Sequence, residues 1–430
     1  MTRPFRVAMG TVLLSIAVGT RPGWADWPQW GGPTRDFHVS TDLAPRWPEG
    51  GPKVAWQRSL DEGYSGIAVG DGTLYTMGRR GDNERVFALS ARNGETLWTY
   101  EYPAPLPSGM LTNHGVGPRS TPLLTATRVF TVGVNGTLLC LDRARGTLKW
   151  RVELVTGLHG SQDKRGYSSS PLAFGDRIIL PVGGEGRALV AFRQEDGAVA
   201  WKSGDFASAP SSPLLIDLAG KTQLVALLNG FVAGFDPGSG RPLWKHPHGG
   251  RGERNITTPL WGKDGILFLS SAYGGGSRAL RLVAEGNETR ITELWAHEQV
   301  RVMFTNALRI GDHVYASSGD FGPVPLVAVD VKTGAVTWRD RSFGRINMVK
   351  GGSRVLVLDE KGTLGLVSLS PEGLTVHARM QLRDEIAWTA PSVSDGRAYV
   401  RTKSELIALE LGAEEGPRSD AGGPSSAPHP

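Results

Sequence analysis

One pattern of residue types recurs along almost all of this 430-residue chain. In the segment Leu326 to Asp340 it consists of Ala328, Asp330, Gly334 and Trp338. The apolar run before the acid is typical of a buried strand. The Asp-x-x-x-Gly spacing is typical of a turn, because Asp bonds its own downstream backbone and Gly accepts positive φ. Each copy therefore predicts two strands joined by a tight turn, with the tryptophan on the second strand.

Other copies keep the spacing and vary the residue types. Two of them retain the acid, namely Cys140, Asp142, Gly146 and Trp150, then Gly234, Asp236, Gly240 and Trp244. Two looser ones lose it, namely Ala88, Ser90, Gly94 and Trp98, then Ala191, Arg193, Gly197 and Trp201. Glycine survives where aspartate does not, because only glycine adopts the turn conformation without a steric penalty.

The positions of the tryptophans give the number of repeats. They are Trp56, Trp98, Trp150, Trp201, Trp244, Trp295 and Trp338, at intervals of 42 to 52 residues. A further unit substitutes Val367, Leu369, Gly373 and His377, and an eighth takes Trp56 from one end of the chain and Ala408 and Glu410 from the other. Short strands repeating every ~40 to 50 residues predict an all-β, eight-bladed β-propeller whose last blade is closed by N- and C-terminal strands. The tryptophans are then structural residues that pack between blades.

A second element lies about 30 residues before most of these tryptophans. Its copies are Thr121-Pro122, Ser170-Pro171, Ser212-Pro213, Thr258-Pro259 and Ala390-Pro391. Proline is tolerated at the first residues of a strand, and small side chains suit a crowded axis. We expect this element to begin the innermost strand of each blade.

The ends of the chain differ from the repeats. Residues 1–25 have the basic, apolar and small-residue segments of a signal peptide, which predicts a periplasmic or secreted protein. The apolar segment is too short to span a bilayer, so no membrane span is predicted. We interpret 26–52 as an ordered coil with its two tryptophans on the outside, 53–411 as the propeller, and 412–430 as a disordered tail.

Charge and cysteine content exclude some classes of function. The formal net charge of +5 falls to about +2 without the three arginines of residues 1–25, and no cluster of Lys and Arg indicates nucleic-acid binding. Cys140 is the only cysteine, so no internal disulfide forms, and we expect it to pack as a small apolar residue. The histidines show no metal-ligand spacing.

The A-x-D-x-x-x-G-x-x-x-W repeat from Asp26 to about Leu411 resembles the quinoprotein-like propellers, or PQQ-like repeat proteins. That family includes pyrroloquinoline-quinone (PQQ) alcohol dehydrogenases and the propeller lipoprotein of the outer-membrane assembly machine. The opening Trp27-Pro28-Gln29-Trp30 is similar to exported bacterial members. The resemblance implies an eight-bladed propeller and leaves the activity open.

The loops that lead into the innermost strands carry the candidate ligand-binding residues. These are Arg119, Arg165, Tyr167, Arg254, Asn255, Arg301, Phe304, Asn306, Arg345, Asn347 and Trp388. In a propeller they converge on one funnel, and five arginines favour an anion or a carboxylate. The alternative is that each arginine pairs with a nearby acid such as Asp163, Glu253, Glu298 or Asp384.

Two functions remain open from the sequence. The first is a monomeric binding or protein-interaction scaffold that takes a protein or a small anionic ligand at the propeller face, without metal or cofactor. The alternative, which the resemblance implies, is a PQQ-dependent alcohol or sugar dehydrogenase. It needs an aromatic face such as Trp388 and oxygen ligands for Ca²⁺, for which Asp320, Asn306 and Asn347 are candidates. A single cysteine cannot form the vicinal disulfide of many alcohol-oxidising relatives, and the sequence favours binding.

Overall fold

The computed structural model describes residues 27–249 and 255–412, which contain 33 β-strands and no helix. The predicted signal peptide lies outside the described residues, as does the predicted tail after its first residue. Both therefore stay predictions.

The strands follow the chain in eight groups. Before the first group come β1 (His38–Val39) and β2 (Lys53–Ser59). Blade 1 consists of β3 (Ala68–Gly70), β4 (Thr73–Arg80), β5 (Asn83–Ser90) and β6 (Thr96–Pro103). Blade 2 consists of β7 (Leu123–Leu124), β8 (Arg128–Val132), β9 (Thr137–Asp142) and β10 (Leu148–Glu153). Blade 3 consists of β11 (Leu172–Phe174), β12 (Arg177–Pro181), β13 (Leu189–Arg193) and β14 (Val199–Ser203).

The next three blades have the same plan. Blade 4 consists of β15 (Leu214–Leu218), β16 (Lys221–Leu228), β17 (Phe231–Phe235) and β18 (Pro242–Pro247). Blade 5 consists of β19 (Leu260–Trp261), β20 (Ile266–Ser271), β21 (Gly276–Glu285) and β22 (Glu288–His297). Blade 6 consists of β23 (Leu308–Ile310), β24 (His313–Ser317), β25 (Leu326–Asp330) and β26 (Val336–Asp340).

The last two blades take in strands from the start of the chain. Blade 7 consists of β27 (Ile346–Gly351), β28 (Arg354–Asp359), β29 (Thr363–Ser370) and β30 (Gly373–Gln381), with β1 added in parallel beside β27. Blade 8 consists of β31 (Ser392–Ser394), β32 (Arg397–Arg401) and β33 (Glu405–Glu410), and β2 completes it. Because β2 pairs antiparallel with β33, and Trp56 lies opposite Ala408, the predicted closure of the ring by the two ends of the chain is confirmed.

The first strand of each blade is the innermost one, since first strands of adjacent blades contact each other, as β3 does with both β7 and β31. The core consists of apolar layers between neighbouring blades: one cluster joins blades 2 and 3, and another joins blades 3 and 4. Cys140 is buried in the first of these layers, as expected for an apolar role. No helix in the described residues is long and apolar enough to cross a membrane.

The repeat tryptophans join each blade to the next. In six of them the indole Nε1–H donates to a backbone carbonyl in the turn of the following blade, at 2.9 to 3.2 Å. The acceptors are Ala91 for Trp56, Arg143 for Trp98, Gln194 for Trp150, Pro237 for Trp201, Val331 for Trp295 and Ser370 for Trp338. Through these contacts the six tryptophans link neighbouring blades.

The turn glycine is required for two reasons. Gly146 has a φ of +68°, which L side chains rarely adopt, and a Cβ there would lie 2.5 Å from the ring of Trp98 in the preceding blade. The acid of the pattern caps the same turn, since Asp142 Oδ1 accepts from the backbone N–H groups of Ala144 and Arg145. The pattern Asp-x-x-x-Gly thus encodes a contact between blades as well as a turn.

Trp244 is the exception among the repeat tryptophans. In the following blade β21 and β22 have 10 residues each, so the turn that joins them lies farther along the strands than the turns of the other blades. The indole Nε1–H of Trp244 therefore donates to Gln223 Oε1 within its own blade, at 2.7 Å.

A belt of polar contacts joins the innermost strands around the axis. The backbone N–H of Thr121 donates to Ser170 Oγ, and the N–H of Ser170 donates to Ser212 Oγ, both at 2.9 Å. The N–H of Asn306 donates to Asn347 Oδ1 at 3.0 Å at the equivalent positions of blades 6 and 7. The side chains before the prolines therefore satisfy backbone groups of the neighbouring blade.

Residues 27–39 fill the central channel, and we call this segment the N-terminal plug. Trp27 exchanges two backbone hydrogen bonds with Val69 of β3, and the carbonyl of Pro28 accepts from Leu124 of β7. The plug then pairs with β27 through His38 and Val39. The expectation that this coil packs its tryptophans on the outside is wrong, because the eight innermost strands leave an axial space that its aromatic side chains fill. Trp27 is only 2 % exposed.

Replacing Trp201 with alanine tests the role of the repeat. Because Trp201 is buried between blades and its indole N–H is bonded, we expect the W201A variant to lose about 3 to 5 kcal/mol of unfolding free energy. Urea unfolding of the purified protein measures this loss. The L97A variant is the control, since Leu97 is 57 % exposed on an outer strand and its change should lie within about 0.5 kcal/mol. Equal stability of the two variants would contradict the packing role.

Candidate functional site

Residues at one equivalent position of the blades form a ring around the mouth of the funnel. In seven blades this residue lies four positions before the innermost strand, and we call these residues the mouth ring. They are Tyr64, Arg119, Ser168, Pro210, Ile256, Phe304 and Trp388. All seven line one cavity of about 190 Å³. Arg345 holds the corresponding position in blade 7, two residues before the belt residue Asn347.

Aromatic side chains from blades 6, 8 and 1 form one wall of the cavity, together with a histidine from the loop before blade 2. Trp388 lies at its centre. Its ring centroid is 4.9 Å from that of Phe304, 5.2 Å from Tyr64 and 5.6 Å from His114. This wall offers aromatic rings, tilted by 40° to 65° from the plane of Trp388, against which a ligand ring can pack.

Arg345 supports this wall from behind. Its guanidinium lies 4.8 Å from the Phe304 ring centroid, Nη1 donates to the Gly319 carbonyl at 2.9 Å, and Nε lies 3.7 Å from Glu360. Arg345 is buried and is not among the lining residues. The guanidinium charge of Arg345 therefore interacts with groups inside the protein and does not face the cavity.

Polar groups from blades 2 to 5 form the opposite wall. They include the hydroxyls of Ser168, Ser170, Ser212, Thr257 and Thr258, with Arg119, Asp163 and Arg165. Arg119 Nη2 donates to the Gly115 carbonyl at 2.9 Å and Nη1 donates to the Arg165 carbonyl, so Arg119 orders the two loops beside it. Burial lowers the pKa of Arg119. The cavity thus has one aromatic and one polar face.

The N-terminal plug forms the floor. Trp30 lines the cavity, and its Nε1–H donates to Thr258 Oγ1 at 2.9 Å. Arg35 lies next to the wall, because its Nη2 donates to the carbonyl of the lining residue Ser170 at 3.3 Å. The plug turns the central channel into a pocket with a floor.

The structure brings four of the predicted funnel residues to the cavity: Arg119, Arg165, Phe304 and Trp388. Arg254 lies outside the described residues. Arg301 lies off the cavity and pairs with Asp320 at 3.1 Å. Two of the arginines thus have acidic partners, although these partners are Asp320 and Glu360 and not the acids named from the sequence.

Four other predicted residues have structural contacts in place of a ligand. Tyr167 is buried and its hydroxyl donates to the Val182 carbonyl at 2.8 Å, and burial raises its pKa. Asn255 Nδ2 donates to the Leu228 carbonyl at 2.6 Å. Asn306 and Asn347 belong to the belt, where Asn306 also bonds Met348 and Asn347 donates to the Trp388 carbonyl at 3.0 Å.

Sequence reasoning missed Trp30, Tyr64 and His114. Aligning the segment Tyr64-Ser65-Gly66 with the Ser/Thr-Pro elements would have assigned Tyr64 to the mouth ring, since Gly66 holds the belt position beside Thr121. No local signal identifies Trp30 or His114, because one reaches the cavity through the channel and the other through a long loop.

The candidate oxygens for Ca²⁺ do not form a calcium site. Asn306 and Asn347 bond the backbone of neighbouring blades, and Asp320 binds Arg301 and the backbone N–H of Tyr273. Across 27–249 and 255–412, no three His, Cys, Asp or Glu side chains come together as a metal site. These oxygens are therefore not placed to bind a calcium ion beside the aromatic wall.

Asn255 belongs to a buried network between blades 4 and 5. Arg278 Nε donates to His248 Nδ1 at 2.9 Å, so His248 Nε2 carries the proton and donates to Ser271 Oγ at 2.7 Å. Ser271 Oγ in turn donates to Asn255 Oδ1. Burial, with the nearby charge of Arg278 as a smaller cause, lowers the pKa of His248 to about 3.

This network predicts a loss of stability in mild acid. The unfolded chain protonates His248 near pH 6.5, whereas the folded protein resists protonation down to about pH 3, so stability is full above the unfolded pKa and falls below it. We expect a loss of about 2 kcal/mol between pH 7 and pH 5, measured by urea unfolding. The H248Q variant keeps a donor and an acceptor but does not titrate, so it should lose much less. Parallel pH profiles would refute this role of His248.

The ring of eight four-stranded blades, closed by both chain ends and centred on a funnel, defines a propeller of the quinoprotein-like class. A family profile described as outer membrane protein assembly factor BamB matches residues 82–340, more than half of the chain. The chain belongs to this family of PQQ-like repeat propellers.

Solved structures with the same architecture include two kinds of natural protein. BamB from Moraxella catarrhalis has a TM-score of 0.61 at 18 % identity, covering 83 % of this chain and 99 % of its own. Quinohemoprotein alcohol dehydrogenase from Comamonas testosteroni has a TM-score of 0.64 at 13 % identity, covering 91 % of this chain and 81 % of its own. At such identities the similarity shows the fold alone. No curated protein sequence matches the chain significantly.

Proposed function

We propose that this protein is an exported binding propeller that holds a small ring-containing ligand in its funnel. The observation that carries this proposal is the two-faced cavity, in which Trp388 presents an aromatic surface opposite a row of hydroxyls and two arginines. Specific small-molecule sites combine an apolar surface with a few polar groups that fix orientation. Export rests on the predicted signal peptide, and the description of the matching family as an outer membrane protein assembly factor supports a role in the cell envelope.

The size of the cavity limits the ligand. Sites for drug-sized molecules have volumes of about 300 to 1,000 Å³, and this cavity of about 190 Å³ is smaller. A single ring with a short side chain is the class of ligand that fits. The plug supports this limit, because it prevents a longer molecule from continuing down the axis.

Single-ring probes test the binding function. We expect phenylacetamide to bind the purified protein and to change its tryptophan fluorescence, and we expect the W388A variant to bind at least about tenfold more weakly because the stacking surface is gone. The F321A variant is the matched control, since it removes an aromatic ring that is 77 % exposed and does not line the cavity. If the two variants bind alike, the site has been assigned to the wrong place.

A PQQ-dependent dehydrogenase is the second candidate, favoured by the aromatic wall. When bound, PQQ supplies the redox chemistry of alcohol oxidation. Trp388 and Phe304 would stack against such a ring, and Arg119 and Arg165 would face its carboxylates. The oxygens Asp320, Asn306 and Asn347, however, bind Arg301 and backbone groups. We therefore prefer the binding proposal.

Titration with PQQ decides between the two candidates. We expect added Ca²⁺ to leave any binding of PQQ unchanged, because the candidate calcium ligands already have protein partners. Equilibrium binding with and without Ca²⁺, followed by dye-linked alcohol oxidation, measures both properties. Calcium-dependent, saturable binding with turnover would overturn the binding proposal in favour of the enzyme.

A further inference from the structure

Two buried polar atoms of lining residues have no hydrogen-bond partner in the described part of the chain. They are Arg165 Nη1 on the polar wall and Thr305 Oγ1, a residue that is 4 % exposed, on the side of blade 6. Native proteins satisfy nearly all buried donors, because an unpaired one costs about 1 to 3 kcal/mol. Both atoms are able to donate a hydrogen bond. Both unpaired donors belong to residues that line the cavity.

The plug adds a buried positive charge beside the same cavity. Arg35 is 3 % exposed, and its Nη1 donates to Gln29 Oε1 at 3.0 Å and to the Pro171 carbonyl at 2.9 Å. Arg35 forms no ion pair with any described carboxylate, and its Nε has no partner. Burial lowers its pKa to about 9, so the guanidinium is still charged at neutral pH.

The charges around the cavity do not cancel. Arg119 and Arg165 line it and form no ion pair in the described residues, and Asp163 is the one carboxylate among the described lining residues. Among the lining residues two positive charges are thus set against one negative charge, and Arg35 adds a buried positive charge beside the wall. Such an excess of positive charge attracts an anion.

We propose that the N-terminal plug completes an anion-selective site. Arg35 and Arg165 together select the carboxylate of a single-ring arylcarboxylate whose ring stacks on Trp388. This inference rests on the proposed binding function and adds the ligand's charge to it. Arg165 donates directly to the carboxylate. Arg35 is a positioning residue: it orders the polar wall through its hydrogen bond to the Ser170 carbonyl, and its positive charge attracts the carboxylate.

A charged and a neutral probe of equal shape test the inference. Phenylacetate and phenylacetamide differ only by the carboxylate, and isothermal titration at low ionic strength measures both affinities. We expect the acid to bind at least about tenfold more tightly, which is about 1.4 kcal/mol. Added salt should reduce this preference, since screening weakens charge attraction. Equal affinities would overturn the inference while leaving the proposed function in place, and binding of neither probe would overturn both.

Variants assign the selectivity to its residues. We expect R165M and R35M each to reduce the preference for phenylacetate over phenylacetamide at least about threefold. The R35K variant keeps the charge and should retain most of the preference. Thermal unfolding of R35M and R35K checks that the plug stays in place. If R35M keeps the full preference of the wild type, the role of the plug is wrong.

A carboxylate beside a ring also occurs at the end of a peptide chain. Titration with the tripeptide AAF and with its C-terminal amide distinguishes this source. Preference for the free tripeptide over phenylacetate would assign the site to protein termini, whereas preference for phenylacetate would assign it to free acids. Either result supports carboxylate recognition, and an amide that binds as well as its acid would contradict it.

Discussion

The contact between a tryptophan and the glycine turn of the next blade holds the propeller together. One indole fills the space that a missing Cβ leaves, and its N–H satisfies a carbonyl of the same turn, as Trp98 does at Gly146 and Arg143. Each such contact fixes the angle between two blades. Eight blades set at a common angle close into a ring, and the pairing of β2 with β33 makes that closure part of the chain itself. In a closed ring each blade packs between two neighbours, and only the short outermost strands remain as edges.

Closure of the ring also creates the functional geometry. The innermost strands meet at the axis, where only small or polar side chains fit, and the belt of Ser, Thr and Asn contacts satisfies their backbone groups. Eight strands leave a channel too wide to be filled by these side chains alone. The plug fills it with Trp27, Phe37 and Arg35, which are nearly fully buried. A pocket with a floor, and not an open pore, is the result.

Solved structures with this fold include an assembly factor and an alcohol dehydrogenase, so the fold does not assign the activity. We base the proposed function on the side chains at the mouth of the funnel. Where asparagines take part in the belt, they hold blades together and leave no oxygen for a metal. Where aromatic residues and arginines occupy the ring, they give the cavity one apolar and one positively charged face. The preference for a binding role follows from this difference between the belt position and the mouth-ring position, which lie two residues apart in each blade.

The sequence by itself determined the number of blades, the closing strands and the structural role of the tryptophans, because each depends on local spacing that repeats along the chain. It also assigned Arg119, Arg165 and Trp388 to the funnel, because the direction of the innermost strands puts the loops that precede them at one face of the propeller. The sequence could not distinguish a belt role for Asn306 and Asn347 from a ligand-binding role. An asparagine side chain suits both roles, and only its hydrogen-bond partner in the folded protein decides between them. The sequence also placed the tryptophans of the plug on the outside. Only the tertiary structure decided that question, because the axial space is a property of eight blades packed together and no local segment encodes it.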